Sequence, residues 1–437
     1  MNSRLCLFVL LPMLFGCASP AGLSLSESSS KEDLSGKGDD SSSEPISSEH
    51  ASEERSNIID ICFPYDVPVT ETFAQQIGLE VLSDYPALSL STKYYWNSGP
   101  TPDIVIRDPR LLSDPKRCPF SFLPIEDQEK EEDRSVLGDD LYGRFLSNGD
   151  LIARPLTYTP RFLVAYDASA FDEQDVATWD SFLKKAEDID ATIQINDPSD
   201  LAQGFLEGAG AKLSLCYDEE GNVASFDETY SGPLGLLGAK AYYDAVSCDH
   251  VRRVSGMGLE KPSTDIKAFV VNEHCYKDAM DLFGENIRYA PLPRFNADGS
   301  SYPTFNPAYA LGVAIVDKTR DEMKSKAVME IAKRLVSSEG ADAFIDAVNQ
   351  TLPGPSFRGT WRCPVPVRAN TESKLNPIQE CLHSQYSTAF ESPYSGAVLD
   401  RVYVLSEEIL SSDGSEESLQ TALTNFHVSL EELVTAG

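Results

Sequence analysis

Aromatic and charged side chains recur just beyond short apolar runs in this chain. Tyr65 and Asp66 follow Ile58-Ile59-Asp60-Ile61-Cys62, Trp96 follows Leu88 to Tyr95, and Arg107 follows Asp103-Ile104-Val105-Ile106. Glu273 and Tyr276 follow Lys267 to Asn272, and Trp361 and Tyr394 stand further on. Flat rings and in-plane charged groups can hold a solute that presents C–H faces and many hydroxyls. Such a set binds without reacting. Reactive sets are missing. The five histidines are scattered, and the chain has no GxSxG, phosphate-binding loop, EF-hand loop, CxxC or HExxH. Carboxylates are abundant enough that some pair must fall roughly 5–9 Å apart, which does not by itself make a glycosidase. No catalytic residue, cofactor or metal is expected. Each candidate also has a plainer reading: Arg107-Asp108-Pro109-Arg110 suits a solvated turn, and exposed Trp and Tyr are common.

The elements that must position these residues alternate between strand and helix patterns. Ile58 to Cys62, Leu88 to Tyr95 and Pro102 to Ile106 read as strands. Thr70 to Tyr85 reads as a helix with Phe73, Ile77, Val81 and Leu82 on one stripe. Leu151-Ile152-Ala153 reads as a short buried strand ending at Pro155, Leu156 to Pro160 as turn-like, and Phe162 to Tyr166 as another strand. Thr178 is placed to cap a helix whose first turn carries Asp180, with Trp179 in its core. Ala191 to Lys212 gives a strand and a helix. Leu236 to Val246 is helical, and Lys267 to Asn272 is a strand. Tyr309 to Val316 reads as a strand followed by a helix over 322–336, and residues 396–410 and 415–434 read as closing helices with Asp413-Gly414 between them. This alternation predicts an α/β fold with parallel sheets.

A length of 437 residues is enough for two lobes with separate cores. The net charge of −33 excludes nucleic acid as a partner and disfavours a strongly anionic solute. Arg4 precedes an apolar run from Leu5 to Leu14, too short to span a bilayer and suited to a signal-peptide core. Leu14-Phe15-Gly16-Cys17 resembles a bacterial lipobox, departing from it at Phe15, so lipidation of Cys17 is expected. Residues 18–56 hold fourteen serines and almost no large apolar residue, which predicts a disordered tether. A flexible chain of that length reaches roughly 35 Å. Nine cysteines less Cys6 and Cys17 leave seven, so at least one thiol stays free outside the membrane. Sequence neighbours suggest Cys216–Cys248 and Cys363–Cys381, although spacing does not fix connectivity.

Several stretches together resemble the maltose-type extracellular solute-binding proteins of bacterial ABC importers. They are Pro102-Asp103-Ile104-Val105, Leu123-Pro124-Ile125 and Gly149 to Pro155, followed by Val164-Ala165-Tyr166-Asp167 and Thr178-Trp179-Asp180-Ser181-Phe182. Gly208-Ala209-Gly210-Ala211, Asn286 to Pro293 and Ser337-Ser338-Glu339-Gly340 continue the order. The resemblance implies a two-lobed, periplasmic-binding-protein-like fold of type II. Lobe 1 would be 57–157 and 302–355, and lobe 2 would be 158–301 and 356–437. It places Tyr158 and Thr159 in a segment that crosses between lobes and lines the cleft. It further implies a lipid-anchored, extracytoplasmic, monomeric protein that binds a carbohydrate and serves the permease subunits of an ABC transporter. A surface adhesin or enzyme on the same anchor, or a receptor for another small solute, is the alternative.

Overall fold

The structure is a computed structural model that describes residues 57–63, 69–94, 101–112, 118–143, 145–147, 149–218, 222–254, 263–271, 276–351, 365–368, 375–383, 389–390 and 396–436. In chain order its strands are β1 (Ile58–Phe63), β2 (Ser89–Tyr94), β3 (Ile104–Arg107), β4 (Leu146–Ser147), β5 (Asp150–Leu151), β6 (Arg154–Pro160), β7 (Leu163–Asp167) and β8 (Thr192–Asn196). They continue as β9 (Leu213–Tyr217), β10 (Val223–Glu228), β11 (Val251–Val254), β12 (Ile266–Val271), β13 (Ile287–Ala290), β14 (Phe295–Ala297), β15 (Ser300–Tyr302), β16 (Asn306–Ile315) and β17 (Ala389–Phe390). Two sheets dominate. The first runs β17-β16-β3-β1-β2, with β6 also paired to β16; the second runs β11-β8-β12-β7-β13. Strands β1, β2 and β3 are mutually parallel, as are β8, β11 and β12. Residues 49–437 form one compact unit; the other unit, 1–48, lies outside the described residues.

Helix α1 (Val69–Leu82) packs on the first sheet because Phe73, Ile77 and Val81 recur one turn apart, and all three are buried. The short α2 (Pro109–Leu112) and the acidic α3 (Asp127–Gly143) come next. Over the second sheet lie α4 (Trp179–Asp188), α5 (Ser199–Gly208) and α6 (Pro233–Val246) on one face and α7 (Tyr276–Phe283) on the other. The chain then returns to the first sheet through β16 and α8 (Glu322–Leu335), where Asp321 caps the helix by accepting from the Lys324 N–H at 2.8 Å. Glu322 at its start and Lys333 and Arg334 at its end suit the helix dipole. After α9 (Ser338–Thr351) and α10 (Pro377–His383), α11 (Gly396–Ser411) and α12 (Glu416–Ala436) close over the second sheet against α5 and α6.

Two expectations need correction. Leu156 to Pro160 is not a turn but the body of β6, which pairs with β16 from Arg154 onward. Pro155 is tolerated because the ladder shifts register opposite it, between Leu311 and Gly312. Cys216 and Cys248 are free thiols, so that neighbour pairing is not formed; Cys363 lies outside the described residues. Residues 127–143 form a helix kinked at Gly138, held by ion pairs from Arg154 to Glu129 and Asp133 and, near its end, by Leu137, Leu141 and Tyr142 packed on the Phe145–Tyr158 cluster. Among the described residues no helix is long and apolar enough to cross a membrane.

Candidate functional site

Strand register fixes which ends of the sheets face the crossing between them. In the first sheet β6 ends at Pro160, opposite Ala308 near the start of β16. β16 then runs back along β3, so that Gly312 faces Arg107 and Ile315 faces Ile104. The end of β3 therefore points toward the crossing, and the ends of the parallel β1 and β2, Phe63 and Tyr94, share that side. In the second sheet the start of β7, Leu163, pairs with the end of β12, Val271. Strands β8 and β11 run with β12, so Asn196 and Val254 end on the crossing side as well. In open α/β sheets ligands bind beyond the carboxyl ends of strands. Here those ends, from both sheets, converge on the crossing.

The expected loop residues follow these ends in sequence: Tyr65 and Asp66 after β1, Trp96 after β2, Glu273 after β12. These four, with Trp361, Tyr394 and Cys17, lie outside the described residues. Arg107 is the last residue of β3 and half-buried. Tyr276 opens α7. Thr159 is buried, and its Oγ1 accepts the Val365 N–H at 3.1 Å. Tyr158, expected to line open surface, is only 2% exposed. Its ring lies 6.1 Å from that of Phe145, in a cluster with Leu151, Ala308 and Ala310. Successive strand residues alternate between faces, and a ring on β6 has this packed face to fill. Trp179 is core, as expected; its Nε1 donates to Thr304 Oγ1 at 3.0 Å.

Sequence reasoning missed Asn196. It is the last residue of β8 and almost fully buried, its Oδ1 accepts from Gln194 Nε2 at 3.2 Å, and its Nδ2 has no acceptor among the described residues. Asp197 beside it has φ 49°, a left-handed conformation uncommon outside glycine. A short polar run such as Gln194-Ile195-Asn196-Asp197 carries no motif to single it out.

Charge gathers at the far end of the first sheet. The fully buried Asp103 precedes β3 and accepts from the Asp60 N–H at 3.0 Å and from Arg320 Nε at 2.7 Å, with Lys318 Nζ at 3.0 Å and Lys324 Nζ at 3.2 Å. Burial pushes its carboxyl up, but the Asp60 N–H and the Arg320 and Lys318 cations outweigh that and hold it below the usual carboxylate range. A second buried carboxylate, Asp133, binds Arg154 through both Nε and Nη2, and also Arg368. Burial pulls the Arg368 guanidinium down, against the pull of Asp133. These clusters join elements rather than open toward the crossing. Among the described residues no group of His, Cys, Asp and Glu could hold a metal ion.

No family model and no curated protein matches the sequence. Solved structures do match the fold. The chain is 14% identical to the maltodextrin-binding protein MalE1 from L. casei BL23, with a TM-score of 0.66 over 86% of this chain and 99% of that one. It is 12% identical to the cyclic alpha-maltosyl-1,6-maltose binding protein from Arthrobacter globiformis, with a TM-score of 0.63 over 87% and 99%. It is 14% identical to the Thermus thermophilus maltotriose binding protein, with a TM-score of 0.57 over 86% and 100%. At such identities the likeness speaks for architecture: this chain has the two-lobed fold of the maltodextrin-type solute-binding proteins.

Proposed function

We propose that the protein is the lipid-anchored substrate-binding component of an ABC importer, capturing a carbohydrate between its lobes and passing it to membrane permease subunits. The convergence of the β1, β2, β3, β8, β11 and β12 ends on one crossing carries this reading. It gives a solute partners on both lobes, so that only the closed state makes both sets of contacts and binding favours closure. The names of the structurally similar proteins, which bind maltodextrins, a cyclic maltosyl-maltose and maltotriose, support a carbohydrate. Tyr65, Asp66, Trp96, Arg107, Thr159, Glu273, Tyr276, Trp361 and Tyr394 are the proposed contacts, with Tyr158 supporting the crossing from its packed face. Cys17 is the proposed anchor at the extracytoplasmic face of the cell membrane, the folded part acting as a monomer.

A thermal-shift panel of mono- and oligosaccharides, followed by calorimetric titration, tests the solute. A rise in melting temperature with one sugar supports the reading, and no rise or heat with any of them rejects it. The anchor is tested separately: Cys17→Ser should release the protein from membranes without detergent, and a variant that stays membrane-bound rejects lipidation.

A further inference from the structure

The chain passes between the sheets at Pro160-Arg161-Phe162 and comes back at Pro303 to Pro307. The two passages touch. The Arg161 N–H donates to Pro307 O at 2.8 Å. The fully buried Asn306 makes a firmer link: its Oδ1 accepts the Phe162 N–H at 3.0 Å, and its Nδ2 donates to Phe162 O at 2.6 Å. One side-chain amide thus does what a facing backbone residue does in a ladder.

The returning passage is fixed to the second lobe up to this point. Thr304 Oγ1 accepts a hydrogen bond from Trp179 Nε1 and donates to Pro293 O at 2.7 Å. The Phe305 N–H donates to Gly204 O at 3.0 Å. Helix α5 lets the passage lie this close because it presents glycine twice, one turn apart. A Cβ at Gly204 would stand 2.1 Å from Phe305 O, and one at Gly208 would stand 2.0 Å from Pro303 O. From Asn306 onward the same strand belongs to the first sheet, Asn306 and Pro307 pairing with β17 and Ala308 onward with β6. Within these two passages any bend between lobes therefore falls at Phe305-Asn306 on one and Pro160 to Phe162 on the other. Pro160 and Pro307 have fixed φ, which narrows the motion further.

We propose that Asn306 is the pin of the interlobe hinge. A further crossing joins α9 on the first sheet to α11 over the second. Untied, the Pro160 and Pro303 passages let the lobes twist and slide as well as close. Tied by the Asn306 amide, they behave as one ribbon that bends about a single axis. Asn306 is a positioning residue: it removes unproductive lobe orientations before a solute arrives. The inference rests on the reading that the lobes close over a solute, but its test needs none.

The test compares Asn306→Ala and Asn306→Asp with wild type by peptide-level hydrogen exchange and small-angle scattering on the unliganded full chain. In N306A the peptide containing Phe162 should exchange on the order of tenfold faster. Peptides from β1, β8 and β12 should be unchanged, and the radius of gyration should exceed that of wild type. N306D retains an acceptor for the Phe162 N–H and loses the donor to Phe162 O, so it should fall between. If N306A does not fold, N306D gives the same two readings. Faster exchange through β8 and β12 would make Asn306 a core support and overturn the proposal, as would an unchanged Phe162 peptide and radius. A wild-type protein that binds no sugar rejects the carbohydrate reading while these results stand.

Discussion

The two lobes add different contacts to their apolar cores. Around the first sheet, buried carboxylates act as staples: Asp103 draws in Arg320, Lys318 and Lys324, and Asp133 draws in Arg154 and Arg368. Behind the second sheet, rings do this work. Trp179 lies tilted at 5.6 Å from Phe205, which meets Tyr242 at 5.6 Å and Phe295 at 5.3 Å. Charge staples are directional and fail when one partner changes protonation; ring packing is not directional and responds to volume. The lobes should therefore differ in what destabilises them.

The largest effect is expected in the aromatic lobe. Trp179→Ala should cost roughly 4 kcal/mol, from lost burial and the cavity left among Phe182 and Phe205, together with the hydrogen bond to Thr304. Chemical denaturation read by circular dichroism measures it, and the loss should be nearly the same at pH 5 and pH 8. A strongly pH-dependent loss would mean that the aromatic lobe leans on ionisation after all.

Asp103→Asn comes next, at roughly 3 kcal/mol, because it leaves Arg320, Lys318 and Lys324 crowded without their anion. Here pH matters. The folded-state pKa of Asp103 lies below its ordinary value, so its contribution is present above the unfolded value of about 3.9 and is lost as pH falls through the lower folded value. The stability gap between wild type and D103N should thus be constant from pH 5 to 7 and shrink below about pH 4. A gap that stays open in acid would show that Asp103 acts by shape and hydrogen bonding rather than by charge.

Much of this contrast was legible in the sequence, but unevenly. Periodicity located β1, β3, α1, α4, α8 and the closing helices, because each has one apolar face and a start or stop signal. Thr178 indeed forms a capping box with Ser181. Helix α3 was invisible because Arg154 and Arg368, far along the chain, supply much of what an apolar stripe would. β6 was misread because prolines at both ends look like a turn until a register shift accommodates one of them. For the site, the order of strands told which loops follow the strand ends at the crossing, with Arg107 ending β3 and Tyr276 opening α7. It gave no warning that Tyr158 is enclosed, nor that the Asn306 amide is matched on both sides while the Asn196 amide is not. A single amide has no period, and its meaning lies wholly in its neighbours.

Tyr158 sharpens the comparison at the boundary. As a ring enclosed with Phe145 and Leu151, its truncation to Ala should cost about 2–3 kcal/mol of stability in the absence of any solute. Tyr158→Phe should cost less, since the packed ring is kept. If Y158A instead leaves the melting temperature unchanged and abolishes sugar binding, the ring faces the solute in solution.

The smallest expected effect concerns Asn196, at the crossing end of the second sheet. A buried amide donor without an acceptor is unfavourable by about 1–3 kcal/mol, so removing it should not harm the fold. Asn196→Leu keeps the branching with a larger side chain, discards the unmatched Nδ2 and loses the weak bond from Gln194. Stability should change by no more than about 1 kcal/mol, in either direction. The same logic gives the opposite answer for Asn306, whose amide is matched on both sides, and there the Ala variant should be plainly weaker. Melting the two variants side by side separates a polar group that holds the structure from one the structure leaves unmatched. A large loss in N196L would show that Nδ2 has a partner in solution and would place Asn196 among the staples.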